Sequence, residues 1–115
     1  MIRNYELQRE ILGKDVFVSL IRTENGIQVL LAGGDQAHIG AVGIMDECGK
    51  QSVICFPGHR EDVIVEAWSQ RIHDMTGVSV VVSAGIHYDH LQASQIEFIL
   101  RETDRLLVEV EGLLQ

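Results

Sequence analysis

Proline and cysteine are scarce: the 115 residues include one proline, Pro57, and two cysteines, Cys48 and Cys55. No Pro-, Gly- or Ser-rich tract reads as a linker, and no segment is of low complexity or evidently repeated. Two cysteines permit at most one disulfide. They flank Gly49-Lys50, which reads as the turn of a hairpin. The thiols then fall at different points along its ladder and are expected to be free in a reducing compartment. Basic residues are also few, 9 Lys and Arg against 17 Asp and Glu, for a net charge of −8 with histidine neutral. Binding to nucleic acid rests on cations that displace counterions from phosphates, so that partner is not expected, nor is an anionic membrane surface. Long apolar runs are missing as well. The longest, Val78–Ile86, is broken by two serines and a glycine and falls short of the roughly 20 residues of a spanning helix. The N-terminal residues Met-Ile-Arg-Asn-Tyr-Glu lack the apolar stretch of a secretory signal, which makes the cytoplasm the expected location.

What remains is a well-supplied core. Hydrophobic residues make up 46% of the chain and charged residues 23%, a balance that excludes disorder. For a chain of this size, burial scaling gives roughly 18,600 Å² unfolded and about 6,300 Å² folded. Residues 1–115 are therefore expected to form a single domain without metal or disulfide staples.

Strands dominate the first half. Tyr5, Leu7 and Ile11 alternate weakly, and Asp15–Arg22 is rich in β-branched and aromatic residues. Asn25-Gly26 is the type I′ turn dipeptide and predicts a hairpin to Ile27–Leu31. A second hairpin pairs Ala41–Met45 with Gln51–Phe56. The period then changes: Ile64, Trp68, Ile72 and Met75 recur at helical spacing, with Gly77 placed for a left-handed C-cap. His73 falls on the polar face of that helix. Val78–Ala84 reads as a buried strand. A final helix opens on Ser94-Gln95-Ile96-Glu97, a capping-box pattern, and carries Ile96, Ile99, Leu100, Leu107, Val110 and Leu114 on its apolar face. The order β-β-β-β-β-α-β-α predicts an α+β fold. Its sheet is antiparallel-rich, or mixed if the first helix makes a right-handed crossover, with five to six strands, and both helices pack on one face. Phe98, Leu106 and Val108 form a second apolar stripe on the last helix, which predicts a homodimer.

Small and polar residues interrupt the pattern at three strand ends: Gly33–Gly40, Phe56–Arg60 and Ala84–His87. Each carries a histidine (His38, His59, His87), and converging loops on a rigid sheet are a usual place for binding. The first segment lacks Rossmann or Walker spacing, but its glycines suit either a backbone nest for an anion or a wide turn with two positive φ angles. The second leads into a helix whose free N–H groups, with Arg60, suit a phosphate. Glu61 and Asp62 oppose that reading by compensating the helix dipole. Metal binding stays open, since His87-x-x-His90 with Asp89 offers donors that His38 or His59 would complete, without the spacing of a structural zinc site. Ser83 and Cys55 are the candidate nucleophiles, one inside a strand and the other lacking a basic neighbour.

These segments, in this order, resemble the prenylated flavin chaperone family, the LpdD-like small accessory subunits associated with gallate-type, UbiD-family decarboxylases. The resemblance rests on Gly33-Gly34 with His38-Ile39-Gly40, Phe56-Pro57-Gly58-His59, Glu66 with Arg71-Ile72, Ala84-Gly85-Ile86-His87, and Gln95-Ile96. Two departures stand out: Gln36-Ala37 precede His38 where an Asn-Pro pair is expected, and Arg60 follows His59 at once in a shortened loop. The resemblance implies a non-catalytic protein that binds prenylated FMN, with FMN as a weaker ligand. It would deliver the cofactor to the large subunit of a UbiD-family aromatic acid decarboxylase. Phe56, Pro57 and Ile86 would then wall the flavin ring. Gly33, Gly34, His38 and His59 would supply donors to the phosphate, beside Gly40, Arg60, Gly85 and His87. Two other readings compete: a small metal-dependent enzyme using His38, His59 and His87, and a purely structural decarboxylase subunit that docks through its acidic surface and final helix.

Overall fold

A computed structural model describes residues 1–115. The elements are β1 (Arg3–Ile11), β2 (Lys14–Arg22), β3 (Gly26–Gly34), β4 (Gln36–Met45), β5 (Gln51–Cys55), α1 (Asp62–Thr76), β6 (Ser79–His87) and α2 (Ala93–Leu114). Six strands form one sheet in the order β1-β2-β3-β6-β4-β5. Only the β3–β6 pair is parallel, so the sheet is mixed and the fold is α+β, as the pattern predicts. The folded chain exposes 6643 Å², close to the area expected from its size.

Alternation decides which face is buried. Val16, Val18 and Leu20 of β2, Ile27, Val29 and Leu31 of β3, and Val80, Val82 and Ala84 of β6 all point beneath the helices. They meet Val65, Trp68 and Ile72 of α1, and Leu106, Leu107 and Val110 of α2, in one cluster of 22 buried residues. At about 25 cal/mol per Å² of apolar surface, each such Leu, Ile or Val contributes roughly 1.5–3 kcal/mol. The opposite sheet face has no helix over it and leaves Phe17, Ile21, Leu30 and Ile54 exposed.

Several local expectations change. The type I′ conformation falls at Leu12-Gly13 (φ 51° and 78°), between the paired Ile11 and Lys14, while Gly33 and Gly34 take the two positive φ angles expected of their segment. Asn25-Gly26 belongs instead to a four-residue loop between paired Arg22 and Ile27, closed by the Thr23 N–H donating to the Gly26 carbonyl at 2.9 Å. Gly26 is held extended because it pairs with Ser79 of β6. The β4–β5 turn is not Gly49-Lys50 but the five residues between Met45 and Gln51. Asp46 organises it by accepting the N–H groups of Cys48 (3.0 Å) and Lys50 (2.9 Å). Both thiols are free and exposed.

Helix α1 ends at Gly77, with φ 73°, as predicted. His73 is not simply solvated, because its Nδ1 sits 2.9 Å from the Val78 carbonyl. Helix α2 starts earlier than Ser94: Gln92 is the N-cap, its N–H donating to Gln95 Oε1 at 2.8 Å. Ile96 and Leu100 are exposed, whereas Leu106, on the same face as Ile99, Thr103 and Val110, is fully buried. The second apolar stripe therefore shrinks to Phe98 and Val108.

Candidate functional site

The three histidine-bearing segments meet because the chain turns around the end of β6. Gly34 pairs with His87 on one side and Gln36 pairs with it on the other, while the Asp35 N–H donates to the His87 carbonyl at 2.6 Å. Gly34 has φ 86°, and a Cβ there would overlap the His87 backbone, so only glycine allows the crossing. Most of Gly33–Gly40 is thus strand rather than loop. Between Ala37 and Ala41 the β4–β6 register shifts: His38, Ile39 and Gly40 bulge opposite Gly85. A bulge re-aims side chains, and here it swings His38 towards His59.

The His38 and His59 ring centroids are 4.5 Å apart, and those of His38 and His87 are 6.2 Å apart. Glu61, the N-cap residue of α1, is only 7% exposed. Its Oε1 lies 3.0 Å from His38 Nε2, yet off the N–H direction, so this ring nitrogen is buried without a hydrogen bond. Oε2 accepts the Arg60 N–H at 3.2 Å. Gly40 makes room for this, since a Cβ there would overlap the Glu61 carboxylate. His38, His59 and Glu61 each bring a ligand atom within 4.8 Å of the others.

Beside them opens a pocket of about 260 Å³, lined by Ile64, Ile86, Leu91, Ile96, Ile99 and Leu100 with Gly58, His59, Arg60, Glu61, His87 and Tyr88. Tyr88 anchors the floor, its hydroxyl donating to the Ile11 carbonyl at 2.5 Å. Burial, with a smaller contribution from the negative charge of Asp35, raises its pKa above the usual phenol value.

Of the residues anticipated from sequence, His38, Gly40, His59, Arg60, Gly85, Ile86 and His87 gather here. Phe56 and Pro57 lie exposed on the preceding turn and do not wall the pocket. Gly33 is packed against the backbone of Asp15 and Val16. The Gly33–His38 stretch is not an open anion nest either, because its backbone is paired with β6: the Asp35 N–H donates to the His87 carbonyl, and Gly34 and Gln36 flank His87 in register. Asp35 Oδ2 accepts the Asp89 N–H at 2.9 Å and Oδ1 is 3.5 Å from Lys14 Nζ. The Asp89 N–H, with Lys14, holds the Asp35 carboxyl below its usual pKa. At the N-terminal end of α1, Glu61 is the N-cap residue, but its side chain makes no bond to the first-turn N–H groups and turns back to the Arg60 N–H. The anticipated His38–His59–His87 triplet gives way to His38–His59–Glu61, since His87 Nε2 sits 2.9 Å from Asp89 Oδ1. Glu61, Tyr88, Leu91 and Ile96 were not anticipated as site residues. For Glu61 the available signal was its place directly after His59-Arg60.

A mixed sheet with both helices on one face and an apolar pocket edged by imidazoles defines a small two-layer α+β domain. Its family follows from residues 11–115, which match the prenylated flavin chaperone LpdD-like domain, and the chain belongs to that family. It is also similar to a chain in the crystal structure of a novel chaperone complex for yeast 20S proteasome assembly. The TM-score is 0.56 at 13% identity over 99% of this chain and 98% of that one, a likeness that shows the fold alone. No curated protein matches the chain. No helix is long and apolar enough to cross a membrane.

Proposed function

We propose that residues 1–115 act as a single, non-catalytic cytoplasmic carrier of prenylated FMN that hands the cofactor to a UbiD-type aromatic acid decarboxylase. The observation that carries this reading is the apolar pocket beside the three histidines, in a chain of the prenylated flavin chaperone family. A flavin ring needs apolar walls and a few oriented donors. Ile86, Leu91 and Ile96 are suited to the ring, and Arg60, His59 and His87 to its anionic end. The pocket, at about 260 Å³, is small for a flavin nucleotide, which leaves part of the ligand outside and favours release over tight retention. As a homodimer the protein would use its bare sheet face, where Phe17, Ile21 and Leu30 are exposed, and light scattering at micromolar concentrations tests this.

Anaerobic titration with reduced prenylated FMN tests the carrier reading. Micromolar binding is expected, equivalent to about 8 kcal/mol at 1 μM. Arg60→Ala and His87→Ala should each weaken it about ten- to a hundredfold, the worth of a charge-assisted hydrogen bond. No saturable binding below about 1 mM would sink the proposal. Co-purification of a decarboxylase without any flavin binding would favour the purely structural subunit instead.

A further inference from the structure

We propose that His38, His59 and Glu61 form a binding site for one divalent first-row transition-metal ion, at the inner edge of the pocket. The inference stands on the donor set and does not depend on which ligand the pocket takes.

Burying a carboxylate is costly unless a cation or full hydrogen bonding compensates. Glu61 is buried, and its only N–H donor is the backbone of Arg60. The nearest positive candidate is the His38 imidazole, with Nε2 at 3.0 Å from Oε1, but the two are misaligned for a hydrogen bond and Nε2 has no other partner. An ion pair would align the N–H with the carboxylate. Two ligands that share a third centre need not point at one another. At about 2.1 Å each from one ion, they lie about 3.0 Å apart at an octahedral right angle and about 3.4 Å apart at a tetrahedral angle; the 3.0 Å here meets the first and reaches the second with a shift of a few tenths of an ångström. His59 offers a ring nitrogen within 4.8 Å of a ligand atom of each of the other two, so small side-chain rotations bring all three to one centre.

The donor set specifies the class of ion. Two imidazoles and one carboxylate suit zinc, cobalt, manganese or iron, whereas calcium and magnesium prefer oxygen ligands throughout. Three protein ligands leave at least one coordination position open, and since His59 and Glu61 both line the pocket, that position faces its interior. Gly40 and Gly85 are part of the construction. The first gives room to the Glu61 carboxylate, and the second lets the His38 backbone bulge inward.

The experiment is titration of the full chain, freed of metal by chelation, with Zn²⁺ against a competing indicator and with Co²⁺ followed by its visible absorption. No flavin is present, so the result is separate from that of the carrier test. One ion per chain is expected, with a Co²⁺ band of low-symmetry nitrogen and oxygen coordination. Glu61→Gln and His59→Ala should each lower affinity more than about a hundredfold, since loss of even an outer-shell partner costs 10–100-fold. His59 lies outside the helices and strands, so His59→Ala keeps the test sound if Glu61→Gln unfolds. His73→Gln, 12 residues beyond Glu61 and about 18 Å along the helix axis, should bind as wild type. Absence of uptake at 1 mM Zn²⁺, or uptake unaffected by Glu61→Gln and His59→Ala, would overturn the site.

Discussion

Gly85→Ala isolates the geometry on which the site depends. Gly85 is buried in β6 and lies opposite the bulge that carries His38. Its φ is not positive, so alanine meets no backbone penalty, and the effect of the substitution is purely steric. A Cβ would overlap the His38 carbonyl oxygen and approach Ile39 N to 2.8 Å. Both are main-chain atoms and cannot swing aside as a side-chain tip does. Overpacking typically costs 1–3 kcal/mol and sometimes more; with backbone as the obstacle, about 3 kcal/mol is expected. At about 0.05–0.15 kcal/mol per residue, a chain of this length has roughly 6–17 kcal/mol in total, so the variant should fold, with its melting temperature lowered by roughly 10–20 °C. Urea denaturation followed by circular dichroism measures the loss directly. The same displacement should pull His38 from His59 and Glu61 and weaken Zn²⁺ binding. A Gly85→Ala protein within 1 kcal/mol of wild type would refute the account of the bulge.

Three further outcomes follow from other contacts. Gly112 in α2 has open space where a Cβ would go, so Gly112→Ala should stabilise by about 0.5–1 kcal/mol through helix propensity, read as a higher urea midpoint. Tyr88→Phe should cost about 1–3 kcal/mol by leaving the Ile11 carbonyl without its donor. The raised pKa of Tyr88 also means that its contribution is complete below the unfolded phenol value near 10 and lost as pH rises through the folded one. The Phe variant should lack that alkaline loss in thermal melts. Asp35 has the opposite sign: its lowered pKa gives a contribution present above about 3.8 and lost as pH falls through the folded value. Asp35→Asn should therefore flatten the acid limb of a stability–pH curve.

The order of elements was legible because each depends on neighbours a few residues away. Alternation in Asp15–Arg22 and Val78–Ala84 and the helical recurrence of Ile64, Trp68 and Ile72 each report a local period, and all lie where the pattern places them. Gly77 was legible for the same reason. The misread features are those where a distant partner intervenes. Gly26 is a strong turn residue by itself, but pairing with Ser79 makes it the start of a strand. Leu106 looked peripheral, but the packing of α2 on the sheet puts it in the core.

The sequence by itself determined that His38, His59 and His87 stand at the ends of strands and that the chain carries the segments of its family. Only the tertiary structure decided which of them act together. Threading of β4 past the end of β6, with a bulge held open by Gly85, brings His38 to His59 and Glu61 and leaves His87 to Asp89. That choice rests on strand register, and register is set by which apolar faces are buried across the whole sheet. No local pattern around a histidine contains that information.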